Sequence, residues 1–368
     1  MKVSLFNGMP YGPVRERPRG WPVPNELFEP EQAVRAAQNC MEEVAMADEL
    51  GFDWIACAEH HYSPMSLAAN VNVLAAAICQ HVKRARIAVL GALIPLNNPV
   101  RIAEEYALID TLSGGRLIAG MLRGAPYEYL VYSVKPAESR SRFEEAWELI
   151  LKAWTATRPF GWEGRHYHFR NVSIWPRPVQ QPVPPIFVSG TSRDSGEFAA
   201  RKKVGLGLAF TNRPLAAEAA RFYRDQCAEY GWQPVADQVI YQAPIYVADT
   251  DEKAFADFRP VAEGGYGGMA VANRLVANAG FYSDRDAATR QRYQDISQEF
   301  RRTLEEQVEL GQLFCGGPDR VVGQLRRLRD EVGCGVVNLI FQRGVPRPKM
   351  LASIELFARE VLPQLREL

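Results

Sequence analysis

Three short segments of the sequence combine residue types that perform chemistry in enzymes. They are, in chain order, Glu59-His60-His61, Arg123-Gly124 and Gly190-Thr191-Ser192-Arg193-Asp194-Ser195. A histidine that titrates near neutrality serves general acid–base catalysis, or hydrogen-bonds a substrate or cofactor. Hydroxyls, arginines and free backbone amides at a helix start bind anions, phosphate in particular. The segments therefore predict acid–base chemistry at His60, with Glu59 in a position to orient it, and a separate anion site.

Structural interpretations of the same residues compete with these predictions. Adjacent histidines are often hydrogen-bonded structural residues, and Asp194 followed by Glu197 fits a capping box at a helix start. A metal site is disfavoured, because neighbouring strand residues point to opposite faces and His60 and His61 cannot easily share one ion. We therefore expect no bound metal.

A regular alternation of short apolar runs and amphipathic helices must position these segments. Such alternation is typical of a parallel sheet with crossover helices. Eight strands are predicted, at residues 3–6, 54–58, 86–94, 117–122, 186–189, 205–210, 239–247 and 336–341. Because each is followed by a helix, an α/β fold of the (β/α)8 TIM-barrel type is favoured over a doubly wound open sheet. Chemistry in such a barrel lies at the carboxyl ends of the strands, where all three segments fall.

The length fits one barrel domain over residues 1–368 with two insertions. A barrel of this kind takes about 250 residues, and the excess falls near 158–185 and 259–312. The glycine-rich run at 264–268 suits a mobile lid that excludes water, although a surface loop without function fits as well.

Composition excludes several classes of protein. Lys and Arg number 43 and Asp and Glu number 43, so the formal charge is zero, which argues against a nucleic-acid partner. No apolar run approaches the roughly 18 residues that span a bilayer, and no signal-peptide core is seen, so no membrane association is expected. Six cysteines without paired spacing predict reduced, mostly buried thiols in a cytoplasmic protein.

Several motifs taken together resemble the luciferase-like family of flavin-dependent monooxygenases. The matching stretches are Gly51-Phe52-Asp53, Glu59-His60-His61-Tyr62, Asn98-Pro99-Val100-Arg101-Ile102-Ala103-Glu104-Glu105, Asp110-Thr111-Leu112-Ser113-Gly114-Gly115-Arg116, Arg123-Gly124, Pro185-Ile186-Phe187-Val188-Ser189-Gly190 and Leu362-Pro363. They follow one another in the family's order over most of the chain. The run from 98 to 124 is the most specific part.

The resemblance implies a barrel that binds FMN, supplied in reduced form by a separate flavin reductase. Such an enzyme uses O2 to oxygenate a small apolar or carbonyl-containing substrate. By the same resemblance His60 is the catalytic histidine with Glu59 beside it, and Gly91 lies where the third strand bends under the flavin ring, often at a non-proline cis peptide. The implied cofactor-binding residues are Gly91, Arg123, Gly190, Thr191, Ser192 and Ser195. A homodimer is also implied.

Departures from the family pattern leave other activities open. Thr191 stands where light-emitting members carry a carboxylate, and Leu122 replaces a cysteine that lines their flavin pocket, so bioluminescence is not expected. A deazaflavin- or flavin-dependent hydride-transfer oxidoreductase on the same barrel is one alternative. A non-catalytic flavin-binding protein is another, because barrels can keep a cofactor after losing chemistry.

Overall fold

Short apolar runs form the strands, as seen in a computed structural model that describes residues 1–12, 14, 20–263, 302–341 and 344–368. The strands are β1 (Lys2–Phe6), β2 (Trp54–Cys57), β3 (Arg86–Leu93), β4 (Leu117–Leu122), β5 (Phe160–Glu163), β6 (His168–Val172), β7 (Ile186–Ser189), β8 (Gly205–Ala209), β9 (Val239–Val247), β10 (Phe314–Gly316) and β11 (Val336–Ile340). Strands β2 and β11 are buried at every position. Burial on both faces explains why they read as continuous apolar runs.

Eight of these strands close into a parallel barrel. The order around it is β1-β2-β3-β4-β7-β8-β9-β11, and β11 returns to pair with β1. The predicted TIM-barrel fold is therefore confirmed. Each predicted barrel strand differs from the observed one by no more than one residue at either end.

Helices surround the barrel and begin at the carboxyl ends of its strands. They are α1 (Pro30–Leu50), α2 (Val71–His81), α3 (Pro99–Leu112), α4 (Ser139–Thr155), α5 (Arg193–Lys202), α6 (Arg213–Glu229), α7 (Asp251–Glu263), α8 (Leu304–Glu309), α9 (Pro318–Val332), α10 (Arg347–Leu356) and α11 (Leu362–Arg366). Asn70, Asn98, Ser192 and Asn212 cap α2, α3, α5 and α6 by accepting backbone amide hydrogens. No described helix is long and apolar enough to cross a membrane.

The first insertion contains a β-hairpin packed on α4, where the sequence predicted only an insertion near 158–185. Strands β5 and β6 pair antiparallel. The Glu145 carboxylate of α4 accepts hydrogen bonds from Trp162 Nε1 and from the backbone amides of His166 and Tyr167. The hairpin thus rests on a helix through these contacts. Strand β10 was also missed, and it pairs with the carboxyl end of β9. The expected lid at 264–268 lies outside the described residues.

The core has two layers. Inside the barrel lie apolar side chains that include Trp54, Ile118 and Phe187, and a larger cluster fills the space between barrel and helices. All six cysteines are buried and none is paired in a disulfide, which confirms the predicted burial.

Candidate active site

His60 lies just beyond the carboxyl end of β2 and is held by two side chains from the loop after β4. Its Nδ1 is 3.0 Å from Glu128 Oε1 and 3.2 Å from the Tyr127 hydroxyl. Both partners belong to a 3-10 helix, Pro126–Leu130. Glu128 is 1% exposed and His60 is 23% exposed. With the carboxylate accepting from Nδ1, the other ring nitrogen, Nε2, is left for proton transfer at the barrel mouth.

His61 has a different role from its neighbour. Its Nε2 lies 3.8 Å from Glu128 Oε2, which is too long for a hydrogen bond. Both atoms are buried, and neither has a hydrogen-bond partner among the described residues. Burial lowers the pKa of His61, so the neutral imidazole is favoured. The His61 ring packs edge-on against Tyr132, with the ring centres 5.5 Å apart.

Glu59 binds backbone and makes no hydrogen bond to His60. Its carboxylate accepts from the Leu93 amide at 3.0 Å and from the Val71 amide at 3.3 Å. Burial is the largest cause of a rise in the pKa of Glu59 to about 7. The orienting contact expected from Glu59 is therefore made by Glu128 instead. Glu59 ties the end of β3 to the start of α2.

Gly91 lets β3 pass close to the end of β2. A Cβ at this position would lie 2.4 Å from Ala58 Cβ and 2.6 Å from Ala58 Cα, so only glycine fits. The pairing of β3 with β4 shifts register between Val89 and Ala92. Every cis peptide bond of the described chain precedes a proline, so the cis bond expected at Gly91 is absent. The irregularity of β3 at this point is its shifted register.

The start of α5 gathers hydroxyl groups, as predicted. The Ser192 and Ser195 hydroxyls are 2.9 Å apart, and Ser192 Oγ accepts from the Ser195 amide. Ser192 is therefore the capping residue, and the capping box expected from Asp194 is wrong. Asp194 instead accepts from Arg140 at 2.7 Å. Gly190 has φ +150°, and a Cβ there would lie 2.4 Å from Ser195 Oγ.

Arg123 follows β4, the strand next to β7 in the barrel. It is half-buried, and its guanidinium forms no ion pair within the described part of the chain. The Tyr129 hydroxyl fixes its backbone by donating to the Arg123 carbonyl at 2.6 Å. Arg123 and the segment 190–195, with Thr191 half-buried in it, therefore lie at adjoining strand ends.

One arc of the barrel mouth carries all these residues. His60, Gly91, Arg123 and Ser192 lie on or directly after β2, β3, β4 and β7, which are consecutive strands. The inward side chains at the strand ends are apolar and half-buried, and they include Phe6, Leu90 and Leu122. An apolar mouth with polar groups along one arc suits a flat ring with an anionic tail.

The sequence analysis missed Glu128 and Tyr127, and Trp21 packs against Tyr127. The Trp21 ring centre lies 5.0 Å from that of Tyr127, and its Nε1 donates to the His61 carbonyl at 2.9 Å. It therefore belongs to the site. No described group of three or more His, Cys, Asp or Glu could hold a metal ion.

The fold and the arc together define a class: a (β/α)8-barrel enzyme with its chemistry at the carboxyl ends of the strands. Residues 18–333 match the luciferase-like monooxygenases. The chain belongs to this family. The predictions of the family, and with it of a flavin-dependent monooxygenase, are confirmed.

Curated relatives agree with the family. The alkanal monooxygenase alpha chain of Photobacterium leiognathi is 23% identical over 87% of this chain and 91% of its own length. The oxygenase component of the flavin-dependent trigonelline monooxygenase of Acinetobacter baylyi is 28% identical over 57% of this chain and 59% of that protein. An uncharacterized protein of Sinorhizobium fredii is 32% identical, but this match covers only 42% of this chain and 45% of that protein.

Solved structures share the fold over nearly the whole chain. The oxygenating constituent of 3,6-diketocamphane monooxygenase of Pseudomonas putida, in complex with FMN, has a TM-score of 0.75 and 20% identity, covering 99% of this chain and 98% of that one. An F420-dependent secondary alcohol dehydrogenase, in complex with an F420–acetone adduct, has a TM-score of 0.71 and 15% identity, covering 99% of both chains.

Proposed function

We propose that this chain is the oxygenase component of a two-component FMN-dependent monooxygenase. It takes reduced FMN from a separate flavin reductase and uses O2 to oxygenate a small apolar or carbonyl-containing substrate. The observation that carries the proposal is the pairing of His60 with the buried Glu128 on the same arc as the anion site. The FMN complex and the oxygenase component among the matched proteins support it.

The residues of the arc fit FMN. Arg123 offers a half-buried guanidinium with no ion pair to any described residue, next to the paired hydroxyls at the start of α5. The phosphate would be held by Arg123, Gly190, Thr191, Ser192 and Ser195, and the ring would lie beside Gly91 among apolar side chains. When bound in its reduced form, FMN supplies the electrons that activate O2.

This chain's own residues supply proton control and exclude water. His60 presents Nε2 to the mouth because Glu128 holds Nδ1. A positioned imidazole of this kind contributes about 10²- to 10⁴-fold to a proton-transfer step. The half-buried side chains of Phe6, Leu90 and Leu122 limit the water that reaches the reacting atoms.

Titration with FMN, followed by flavin fluorescence, tests the cofactor assignment. Replacing Ser192 by Ala removes a hydroxyl of the proposed phosphate site, so the Kd for FMN is expected to rise about tenfold, as for one lost hydrogen bond to a charged group. Asn98→Ala is the matched control, because it also removes a helix cap but leaves the phosphate site intact. Equal affinity of the two variants for FMN would contradict the assignment.

Substitution of His60 by Ala tests catalysis. Substrate-dependent O2 consumption with reduced FMN is expected to fall at least about 100-fold, while the Kd for FMN stays within about twofold. Unchanged turnover would remove His60 from the mechanism. A wild-type chain that binds FMN yet oxygenates none of a broad substrate panel would favour a non-catalytic flavin carrier.

A deazaflavin-dependent hydride-transfer enzyme is the second candidate, favoured by the match to the F420-dependent alcohol dehydrogenase. The two cofactors differ in the long acidic tail of F420. Side-by-side titration separates the candidates, since the oxygenase is expected to bind FMN more tightly than F420.

We further propose that the chain forms a homodimer through α2 and α3. These helices lie side by side, with Asn72 Nδ2 donating to Glu105 Oε2 at 2.7 Å. Their outer surfaces expose Val73 by 69%, Leu108 by 48% and Leu112 by 44%. Exposed apolar side chains on adjoining helices favour burial against a second copy.

A further inference from the structure

A row of polar side chains crosses the otherwise apolar interior of the barrel. Ser4, Asn338 and Gln242 are direct neighbours in the register of β1, β11 and β9. Asn338 lies two residues after Val336, and Gln242 two residues after Ile240, both members of the interior cluster. Ser4 lies two residues before Phe6, which packs against that cluster. Because side chains two residues apart on a strand share a face, all three face the interior. We refer to them as the polar row.

The side-chain amide of Asn338 hydrogen-bonds to Gln242. Asn338 is fully buried and its Nδ2 donates to Gln242 Oε1 at 2.8 Å. With Oε1 engaged, the two N–H groups of Gln242 Nε2 are the part of this side chain left to bind a ligand. Gln242 is half-buried, so its amide is reachable from the barrel mouth.

Two further atoms of the polar row have no partner among the residues that the structure describes. They are Ser4 Oγ and Asn338 Oδ1, and both are buried. Burying a polar group without a partner is unfavourable. These polar groups lie inside an otherwise apolar barrel. Binding of a polar ligand to the polar row would explain why they are there.

The polar row lies across the barrel from the proposed flavin position. Strands β3 and β9 are four strands apart in either direction around the barrel. Gly91 on β3 and Gln242 on β9 therefore face each other across the mouth. A ligand bound to Gln242 occupies the space opposite the flavin side, where the organic substrate must lie.

We propose that Gln242, positioned by Asn338, is a specificity-determining residue that donates a hydrogen bond to an uncharged acceptor oxygen of the organic substrate. This inference rests on the proposed function. The chemical class follows from the donor: Nε2 offers hydrogen atoms only and carries no charge, so a ketone or aldehyde oxygen fits, and a hydrocarbon lacks the matching group.

Matched probes test the proposal on the FMN-loaded full chain. The probes are camphor and 2-decanone, each paired with its hydrocarbon, camphane and decane, and binding is followed by the change in absorbance of oxidised FMN. The wild-type chain is expected to bind at least one ketone more tightly than its hydrocarbon. Gln242→Leu is expected to raise the Kd for that ketone about tenfold. The Kd for the hydrocarbon and the Kd for FMN are expected to stay within about twofold.

Two further variants separate recognition from general damage. Gln226→Leu makes the same change at a half-buried residue of α6 whose amide donates to Glu229, and it is expected to leave every Kd unchanged. Asn338→Asp offers two acceptors to Gln242 and draws its N–H groups away from the mouth, so ketone affinity is expected to fall as in Gln242→Leu.

Each result decides something definite. Equal ketone affinity in wild type and Gln242→Leu, preference for hydrocarbons, or no ketone binding overturns the inference while the FMN oxygenase proposal stands. A Gln242→Leu variant with weaker affinity for FMN and unchanged affinity for the ketone would show that the amide faces the flavin. That result would also overturn the inference. Failure of the wild-type chain to bind FMN at all would instead overturn the proposed function.

Discussion

Two buried glutamates at this site differ in role because they differ in partners. The Glu59 carboxylate accepts hydrogen bonds from the backbone amides of Leu93 and Val71, and so holds the end of β3 beside the start of α2. Glu128 contacts the ring of His60 and so acts on its orientation and charge. Of these two carboxylates, only that of Glu128 is placed to stabilise positive charge that develops on the His60 ring during proton transfer.

We expect Glu128→Gln to lower kcat by about 10- to 100-fold, or about 1.4–2.7 kcal/mol in the activation barrier. The amide oxygen still accepts from His60 Nδ1, but the negative charge that stabilises the imidazolium is gone. Because the variant keeps the side-chain volume, the Kd for FMN is expected to stay within about twofold. Steady-state O2 consumption and FMN titration measure the two effects separately.

Glu163→Gln is the matched control for this prediction. Glu163 also pairs with a histidine, His168, at 3.3 Å, but this pair lies on the hairpin and is well exposed. An exposed pair of this kind contributes little, so kcat is expected to be unchanged. A similar loss of kcat in both variants would mean that Glu128 has no special relation to His60.

Glu59→Gln is expected to change how stability depends on pH. The pKa of Glu59 in the folded protein is raised from 4.5 to about 7, so between these values the folded protein holds a proton that the unfolded chain has lost. The stability from this proton is present below pH 4.5 and is lost as pH rises to 7. The wild type should therefore lose up to about 1.4 kcal/mol per pH unit relative to the variant.

Urea unfolding of both proteins at pH 5, 6, 7 and 8 measures this slope. The variant also leaves one backbone amide without its acceptor, which adds a penalty of about 1–3 kcal/mol at every pH. That offset does not change the slope. A difference in free energy of unfolding that stays flat from pH 5 to pH 7 would show that Glu59 titrates normally in the folded chain.

At the residue scale, sequence predicted the groups that follow strands and missed those that depend on a loop. Three of them, His60, Arg123 and Ser192, closely follow apolar runs. They were predicted because the chemistry of a (β/α)8 barrel lies at the carboxyl ends of its strands. Glu128 lies 68 residues from His60 along the chain. Its 3-10 helix has no periodic pattern, and the path of that loop is set by tertiary contacts.

At the element scale, barrel strands were predictable because both of their faces are buried. The hairpin strand β5 alternates half-buried and exposed residues, and it is held by contacts with Glu145 of α4 that no local pattern reveals. The resemblance implied a bend of β3 at Gly91 with a cis peptide bond. The structure instead has a register shift beside Gly91, where the backbone of Ala58, just after β2, comes too close for any Cβ.

Gly91→Ala is expected to separate β2 from β3. The new Cβ would overlap the Ala58 backbone, which cannot move aside as a flexible side chain could. We expect a loss of about 1–3 kcal/mol in stability and at least a tenfold weaker Kd for FMN, measured by thermal unfolding and titration.

Gly323→Ala is the control for this change. Gly323 lies inside α9 with open space around its Cα, so alanine is expected to stabilise the chain by about 0.5–1 kcal/mol. If Gly91→Ala behaved like Gly323→Ala, the close approach of β2 and β3 would not matter for the site.

At the scale of the whole molecule, one arc of the barrel serves the flavin and the opposite side serves the substrate. The arc runs over β2, β3, β4 and β7, and the polar row lies on β9, β11 and β1. Helices α2 and α3 stand directly behind this arc, since they follow β2 and β3. A dimer formed through them would therefore support the flavin side and leave the mouth open.

The dimer predicts a charge-sensitive interface. In a two-fold dimer each substitution occurs twice in the same patch, so Val73→Glu with Leu108→Glu buries four carboxylates without partners. Such burial costs several kcal/mol for each charge. We expect the wild type to sediment as a dimer at micromolar concentration and the double variant as a monomer that still binds FMN.

The control is Val34→Glu on α1, where the valine is 57% exposed. This variant should stay dimeric. A wild-type monomer, or dissociation by Val34→Glu alone, would place the interface elsewhere or remove it.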